Sequence, residues 1–198
     1  TLVAVERNSA LEYLLLANDL REPCLTRYGL QAGRVLLQFS GRVLEHLALE
    51  HPFLPKQVPV ILGDHVTLEA GTGAVHTAPA HGQDDFIIGQ RYGLPVNNPV
   101  GADGRFVEHV PLVAGLKIDV ANETLIQLMT ERGRLLRHDP YRHSYPHCWR
   151  HKSPVIFRAT PQWFISMEQR GLRANALRDI RKVKWSPAWG EQRILGMI

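Results

Sequence analysis

Long apolar runs are absent from this sequence. A membrane-spanning helix needs ~20 consecutive apolar residues, and the greasiest stretch near the start, Leu14-Leu15-Leu16-Ala17, stops far short of that. The first residues show no basic-then-apolar leader pattern, so no membrane partner is expected. Cysteine is scarce as well. Cys24 and Cys148 are too few for a disulfide scaffold, which makes a reducing, cytoplasmic setting the expectation. There is no G-x-S-x-G nucleophile elbow, and no Lys-Ser/Thr follows Gly71-Thr72-Gly73, so that turn is not a phosphate-binding P-loop. Nor is there an H-E-x-x-H pair or a C-x-x-C pair for zinc. Internal repeats and low-complexity tracts are missing too. A hydrolase with this inventory has to activate water directly rather than through a side-chain nucleophile.

What is present is unevenly spread. Residues 131–198 carry 14 Lys/Arg against 5 Asp/Glu, a net of +9, whereas residues 1–130 carry 9 against 14, a net of −5. A basic C-terminal third fits either contact with a polyanion such as nucleic acid or a solvated helix face, and composition alone does not choose.

The stretch with most chemistry is Gly71 to Phe86, GTGAVHTAPAHGQDDF. A glycine turn leads into Ala74 to Ala78, which reads as a short strand that Pro79 ends for want of an N–H. A polar loop follows, then a helix whose start falls at Asp84-Asp85 and whose stop is Gly93. Strand end, loop and helix N-terminus thereby bring His76, His81, Asp84 and Asp85 into one region. Each has a plain structural reading: a half-buried polar residue for His76, a helix-start carboxylate for Asp85. Together beside Gly71-Thr72-Gly73 they read as a site. Their spacing fits no metal motif. A second cluster, His143, His147, Cys148 and His151, has one cysteine without a C-x-x-C partner, so no metal is expected there either.

Elsewhere, Thr1 to Arg7 reads as a strand and Leu11 to Ala17 as strand or helix. Asn18 to Tyr28 reads as a helix closed by Gly29. Strands are expected at Arg34 to Phe39, Arg42 to Leu49, Val58 to Leu62, His65 to Leu68, Leu135 to Tyr145 and Ser153 to Thr160. Asp119 to Arg132 and Met167 to Lys182 read as helices, the second basic and amphipathic, and Asp103-Gly104 as a hairpin turn. Many short strands with turns between them point to a barrel or sandwich.

At this point the residues resemble a known family. GTGAVHTAPAHGQDDF followed by GQRYGL resembles the editing-site signature of the class I aminoacyl-tRNA synthetases for branched aliphatic amino acids. His76-Thr77-Ala78-Pro79 with His81-Gly82 and Asp84-Asp85 is similar to the bacterial isoleucyl-tRNA synthetase version. Leucyl enzymes place Met where His76 stands, and valyl enzymes carry a different run around Pro-Ala-His. HSYPHCWRHKSPVIFRATPQWF, His143 to Phe164, also resembles the isoleucyl type, so the likeness extends over nearly the whole chain.

The resemblance implies a mainly β fold with peripheral α-helices, a closed β-barrel editing domain of the valyl/isoleucyl/leucyl type. It implies an editing domain over residues 1–156, with residues 157–198 returning toward a synthetic nucleotide-binding domain. The activity implied is hydrolysis of valine misattached to tRNA(Ile), with valyl-adenylate as a further substrate. The alternatives are a leucyl- or valyl-type editing domain, or a non-catalytic tRNA-binding module. Carried over by position, Asp85 holds the substrate α-ammonium and His76 borders the side-chain pocket. Thr77, Gly71, Thr72, Gly73, His81 and Asp84 complete the substrate-binding set, with no metal. The partners implied are the acceptor end of tRNA(Ile) carrying valine and the remainder of the synthetase chain. The synthetic signatures H-x-G-H and K-M-S-K-S do not occur, so ATP and Mg belong to the full-length synthetic domain and no cofactor is expected in this piece. The family's threonine-rich segment, ending in a T-x-P-A-N-like run before the first barrel strand, is not in this sequence. Those threonines line the pocket, so the isolated piece is expected to lack part of its wall and can be inactive by itself.

Overall fold

β-branched and apolar residues at Leu2–Arg7 form β1, and the tight Asn8-Ser9 turn, both residues at positive φ, folds Ala10–Leu15 back as β2. The 2–7/10–15 ladder is antiparallel with Leu2 opposite Leu15. This decides the strand-or-helix alternative for the second apolar run in favour of strand. β3, Arg34–Leu37, pairs with the other edge of β1, giving the order β2-β1-β3. The computed structural model describes residues 1–31 and 33–198.

One face of this sheet packs on α1, Arg21–Tyr28, which the left-handed Gly29 closes as expected. Val3 and Val5 of β1 meet Leu16, Leu20, Cys24 and Leu25 in the principal buried cluster. Pro23 falls in the first turn of α1, where its missing N–H costs nothing, so it is no obstacle. A second sheet is a β4–β5 hairpin, Ala48–Glu50 against Gln57–Pro59. Two helices follow, α2 at Gln83–Arg91 and α3 at Ile118–Glu131. The Asp103-Gly104 turn is present, with Val100 bridged to Phe106.

The expected closed barrel is not what the structure shows. Among the described residues there are small sheets of three and two strands mixed with helices. The missing strands have local causes. Arg42 to Leu49 opens instead as a 3-10 turn, Gly41–Leu44, because the Ser40 hydroxyl and carbonyl take the N–H groups of Arg42 and Val43, and His46 adopts positive φ. His65 to Leu68 is turn and bend, with Val66 N–H bonded to Gly63 O. Leu135 to Tyr145 and Ser153 to Thr160 run without ladders, apart from an isolated bridge between His147 and Pro154. A strand needs a neighbour for its amide groups, and the last of these segments meets other backbone only at single points, Val155 N–H on Pro146 O and Ala159 N–H on Ala80 O.

The chain divides into two compact units, Thr1–Ala159 and Thr160–Ile198. In the second, Met167 to Lys182 is not one helix. A 3-10 turn at Gln169–Gly171, with Arg170 and Gly171 at positive φ, precedes α4 at Leu172–Ile180. α5 spans Gly190–Leu195, and the Trp185 indole donates to Ile180 O at 3.1 Å. Among the described residues no helix is long and apolar enough to cross a membrane.

Candidate functional site

The glycine turn is fastened to the core. Gly71 and Gly73 sit at φ +78° and +81°, conformations that glycine adopts without a Cβ clash. Ala17 N–H donates to Thr72 O at 2.9 Å, and the buried Cys24 thiol donates to Gly71 O at 3.1 Å. A Cβ on Gly73 would fall 2.4 Å from the Ala17 methyl, so only glycine lets this turn seat on the end of β2.

Beyond it, Ala74 to Ala78, expected as a short strand, joins no sheet. Its two ends are bonded nearby: Ala74 N–H to the Thr72 hydroxyl, Ala78 O to His81 N–H, and Ala78 N–H to the Asp85 carboxylate. Asp85 Oδ2 accepts that last bond at 3.1 Å. Gly82 caps α2 in an extended conformation, and both Asp84 and Asp85 lie in the first turn, where the free N–H groups and helix dipole favour carboxylates. Asp84 is exposed, whereas Asp85 is half-buried.

His81 is held from elsewhere in the chain. Its Nδ1 lies 2.8 Å from Phe157 O, and Ala159 N–H donates to Ala80 O at 2.7 Å. Asn98 and Arg158 side chains bond Ala159 O and Val100 O. The second family-like segment is therefore laid along the first, distant in sequence but adjacent in space.

His76 is exposed and Thr77 half-buried. No direct bond joins His76 to Asp85 among the described residues. Asp85 Oδ1 instead faces His65 Nε2 at 4.0 Å, and that nitrogen is buried without a hydrogen-bond partner. Nearby, the pKa of His51 is lowered by burial first, then by Lys56 and His76. His51 Nδ1 accepts from the N–H groups of Phe53 and Leu54, which fixes the tautomer with the proton on Nε2. A cavity of about 370 Å³ is lined by Glu50, His51, Leu54, Pro55, Lys56 and Gln57.

Sequence reasoning passed over His51 and His65. His65 follows Gly63-Asp64, a turn signal that read simply as a break between strands, and its pairing with Asp85 spans twenty positions. In the remaining histidine cluster, Cys148 Sγ lies 3.4 Å from His151 Nδ1. His143 and His147 turn Nδ1 onto the carbonyls of Ser144 and Tyr145. Among the described residues no three His, Cys, Asp or Glu side chains gather as a metal site.

The class of protein comes from the family comparison: residues 40–114, which contain the motif and Asp85, match the family described as leucyl-tRNA synthetase, editing domain. Individual relatives refine it. The chain is 58% identical over 187 residues to the isoleucine–tRNA ligase of Thioalkalivibrio sulfidiphilus, a match covering 94% of this chain and 20% of that protein. It is 54% identical over 197 residues to that of Nitrosococcus oceani, and 52% identical over 198 residues to that of Shewanella halifaxensis. Each of these two matches covers 100% of this chain and 21% of the relative. The chain thus spans about a fifth of the length of the curated relatives it matches. It belongs to the editing-domain family of the synthetases for branched aliphatic amino acids, in the isoleucine–tRNA ligase branch.

Proposed function

We propose that this segment hydrolyses valine misattached to tRNA(Ile), as the editing part of an isoleucine–tRNA ligase. The observation that carries the reading is the tethering of Asp85. Its Oδ2 is fixed by the Ala78 N–H while the carboxylate remains half-buried at the α2 N-terminus. A carboxylate has about four acceptor positions, so one fixed bond leaves several for a substrate ammonium. The Asp85–ammonium contact is a charge-assisted hydrogen bond and orients the ester. His76 borders the side-chain pocket and admits valine while refusing the extra methylene of isoleucine. Thr77, the Gly71-Thr72-Gly73 turn, His81 and Asp84 hold the rest of the aminoacyl end.

One methylene is worth ~1–3 kcal/mol in an apolar pocket, a magnitude already established on isoleucine enzymes themselves. That is too little for translation, hence a second pocket. Ester hydrolysis needs a placed water and stabilisation of developing charge, and here the terminal ribose hydroxyl of the tRNA helps to place the water. Neither His76 nor Asp85 acts as a classical general base. Residues 157–198 return toward the synthetic domain. ATP and Mg act in that domain, through motifs this chain does not carry, and no editing step runs through them.

The test is deacylation by the full-length synthetase. Asp85→Ala is expected to abolish hydrolysis of Val-tRNA(Ile). His76→Ala is expected to start hydrolysis of Ile-tRNA(Ile), shifting the Val/Ile ratio by ~10–200-fold. Equal slowing of both esters by His76→Ala, on the order of 100-fold, would return a general-base role to the histidine.

A further inference from the structure

We propose that His65 is a positioning residue of this site, holding the second oxygen of Asp85 while the first is held by Ala78. The inference rests on the editing reading and extends it to a residue outside the family-like motif. Three observations carry it. First, His65 Nε2 is buried, makes no hydrogen bond, and lies 4.0 Å from Asp85 Oδ1. Buried side-chain nitrogens are overwhelmingly satisfied in folded proteins, so an orphan facing a carboxylate calls for an account. Closing the gap by about 1 Å would make a normal N–H···O bond.

Second, a glycine makes room for each partner. A Cβ on Gly63 would stand 2.5 Å from His65 Cε1 and 2.8 Å from its Nδ1, and a Cβ on Gly82 would stand 2.8 Å from Asp85 Oδ2. Neither glycine has the positive φ that would demand it on backbone grounds, since Gly82 sits at φ −139° and Gly63 is not among the positive-φ glycines. Space for ring and carboxylate is what they supply.

Third, α2 grips the turn that carries His65 from both of its ends. Asp85, in the first turn, faces His65. Tyr92, just past the last turn, accepts from Leu62 N–H at 3.2 Å and donates its own hydroxyl proton to Glu45. The 62–66 turn, closed by Val66 N–H on Gly63 O, is thereby set at a fixed distance from the helix start.

When the substrate ammonium arrives, Asp85 is to be held by Ala78 N–H at Oδ2 and by His65 Nε2–H at Oδ1, with lone pairs still free for the ammonium. The imidazole touches no reacting atom. Its effect is to hold the carboxylate at one angle, so its removal acts mainly on KM for the aminoacyl-tRNA.

Full-length synthetase carrying His65→Phe, which keeps a ring but no donor, and His65→Gln, which keeps an N–H donor, provides the test. Val-tRNA(Ile) deacylation is read as KM and kcat separately, with isoleucylation rate and thermal midpoint measured on the same preparations. His65→Phe is expected to raise KM about tenfold, the loss of one hydrogen bond to a charged group, and His65→Gln to stay within about threefold of the wild type. A His65→Phe enzyme that edits with unchanged KM would overturn the proposal. So would a His65→Gln enzyme as impaired as His65→Phe, because a merely structural ring is not rescued by a donor. Asp85→Ala in the same assay separates the two levels: if it edits normally, the editing reading itself fails, whereas a dead Asp85→Ala beside an unaffected His65→Phe removes only the role of His65.

Discussion

Gly82 shows how much a single hydrogen atom in place of a methyl can decide. Its backbone conformation suits any residue, yet an added Cβ would lie 2.8 Å from Asp85 Oδ2 and 3.2 Å from Asp85 Cγ. The carboxylate is tied to Ala78 N–H, so it must leave that bond to make way. Gly82→Ala is therefore expected to reduce Val-tRNA(Ile) deacylation on the order of 10–100-fold, because misplacement by a fraction of an ångström is costly in oriented reactions. The thermal midpoint should hardly move. Editing at the wild-type rate in a Gly82→Ala synthetase would show that the carboxylate position is not critical. At this scale the sequence was a good guide to which residue types matter and a poor one to their neighbours. Asp85 was legible as a helix-start carboxylate in a histidine-rich motif. Its nearness to His65 was not, since no local pattern connects a turn histidine to a helix that follows a loop, a glycine turn and an extended run.

Elements formed where their signals were local and failed where they required a partner. α1 with its glycine stop, β1 and α3 follow from periodicity and turn residues that act within a few positions, whereas the run after Asn8-Ser9 became a strand only by pairing with β1. The run Ala74 to Ala78 has strand-like residues, but its two ends are bonded to Thr72, His81 and Asp85, and it joins no ladder. The β4–β5 loop supplies a pH signature at this scale. His51 accepts two backbone N–H groups on Nδ1, and its pKa is lowered by burial, with Lys56 and His76 adding to the effect. Protonation would break those bonds. The folded chain then binds fewer protons than the unfolded one below the ordinary histidine value of about 6.5. His51 accordingly contributes stability that is present above that pH and is lost as pH falls toward its folded pKa. His51→Asn keeps an acceptor near the Nδ1 position and does not titrate. Thermal midpoints at pH 7.5 and about pH 5.5 should converge more closely in His51→Asn than in the wild type. An identical acid-side drop in both would remove His51 from the account.

For the molecule as a whole, the question is what the basic third does. Several of its charges are already committed: Arg137 to Asp139, Arg173 to Glu168, and Arg178 and Lys182 to Asp179. Among the described residues Arg142, Arg150 and Lys152 are exposed and make no ion pair, and Arg150 lies over the Trp149 ring at 4.8 Å. If this surface meets tRNA, affinity should fall linearly on a log–log salt plot, because each neutralised phosphate releases counterion. Arg150→Ala combined with Lys152→Ala should make that slope shallower by roughly one to two. Binding by the full synthetase that is flat with salt, or a slope unchanged by the double substitution, would leave these charges as a solvated face.

The sequence by itself determined the family, the motif residues, the glycine that closes α1 and the asymmetry of charge, because each is written in residue types over short spans. Only tertiary structure decided that Phe157 to Ala159 lies along Ala80-His81, that Cys24 and Ala17 seat the glycine turn, and that His65 faces Asp85. It also decided that strand-prone segments form two small sheets rather than a closed barrel. The physical reason is common to all of these. A hydrogen bond or ladder between distant segments depends on which partner the chain brings within about 3 Å, and residue pattern along one segment carries no information about the other.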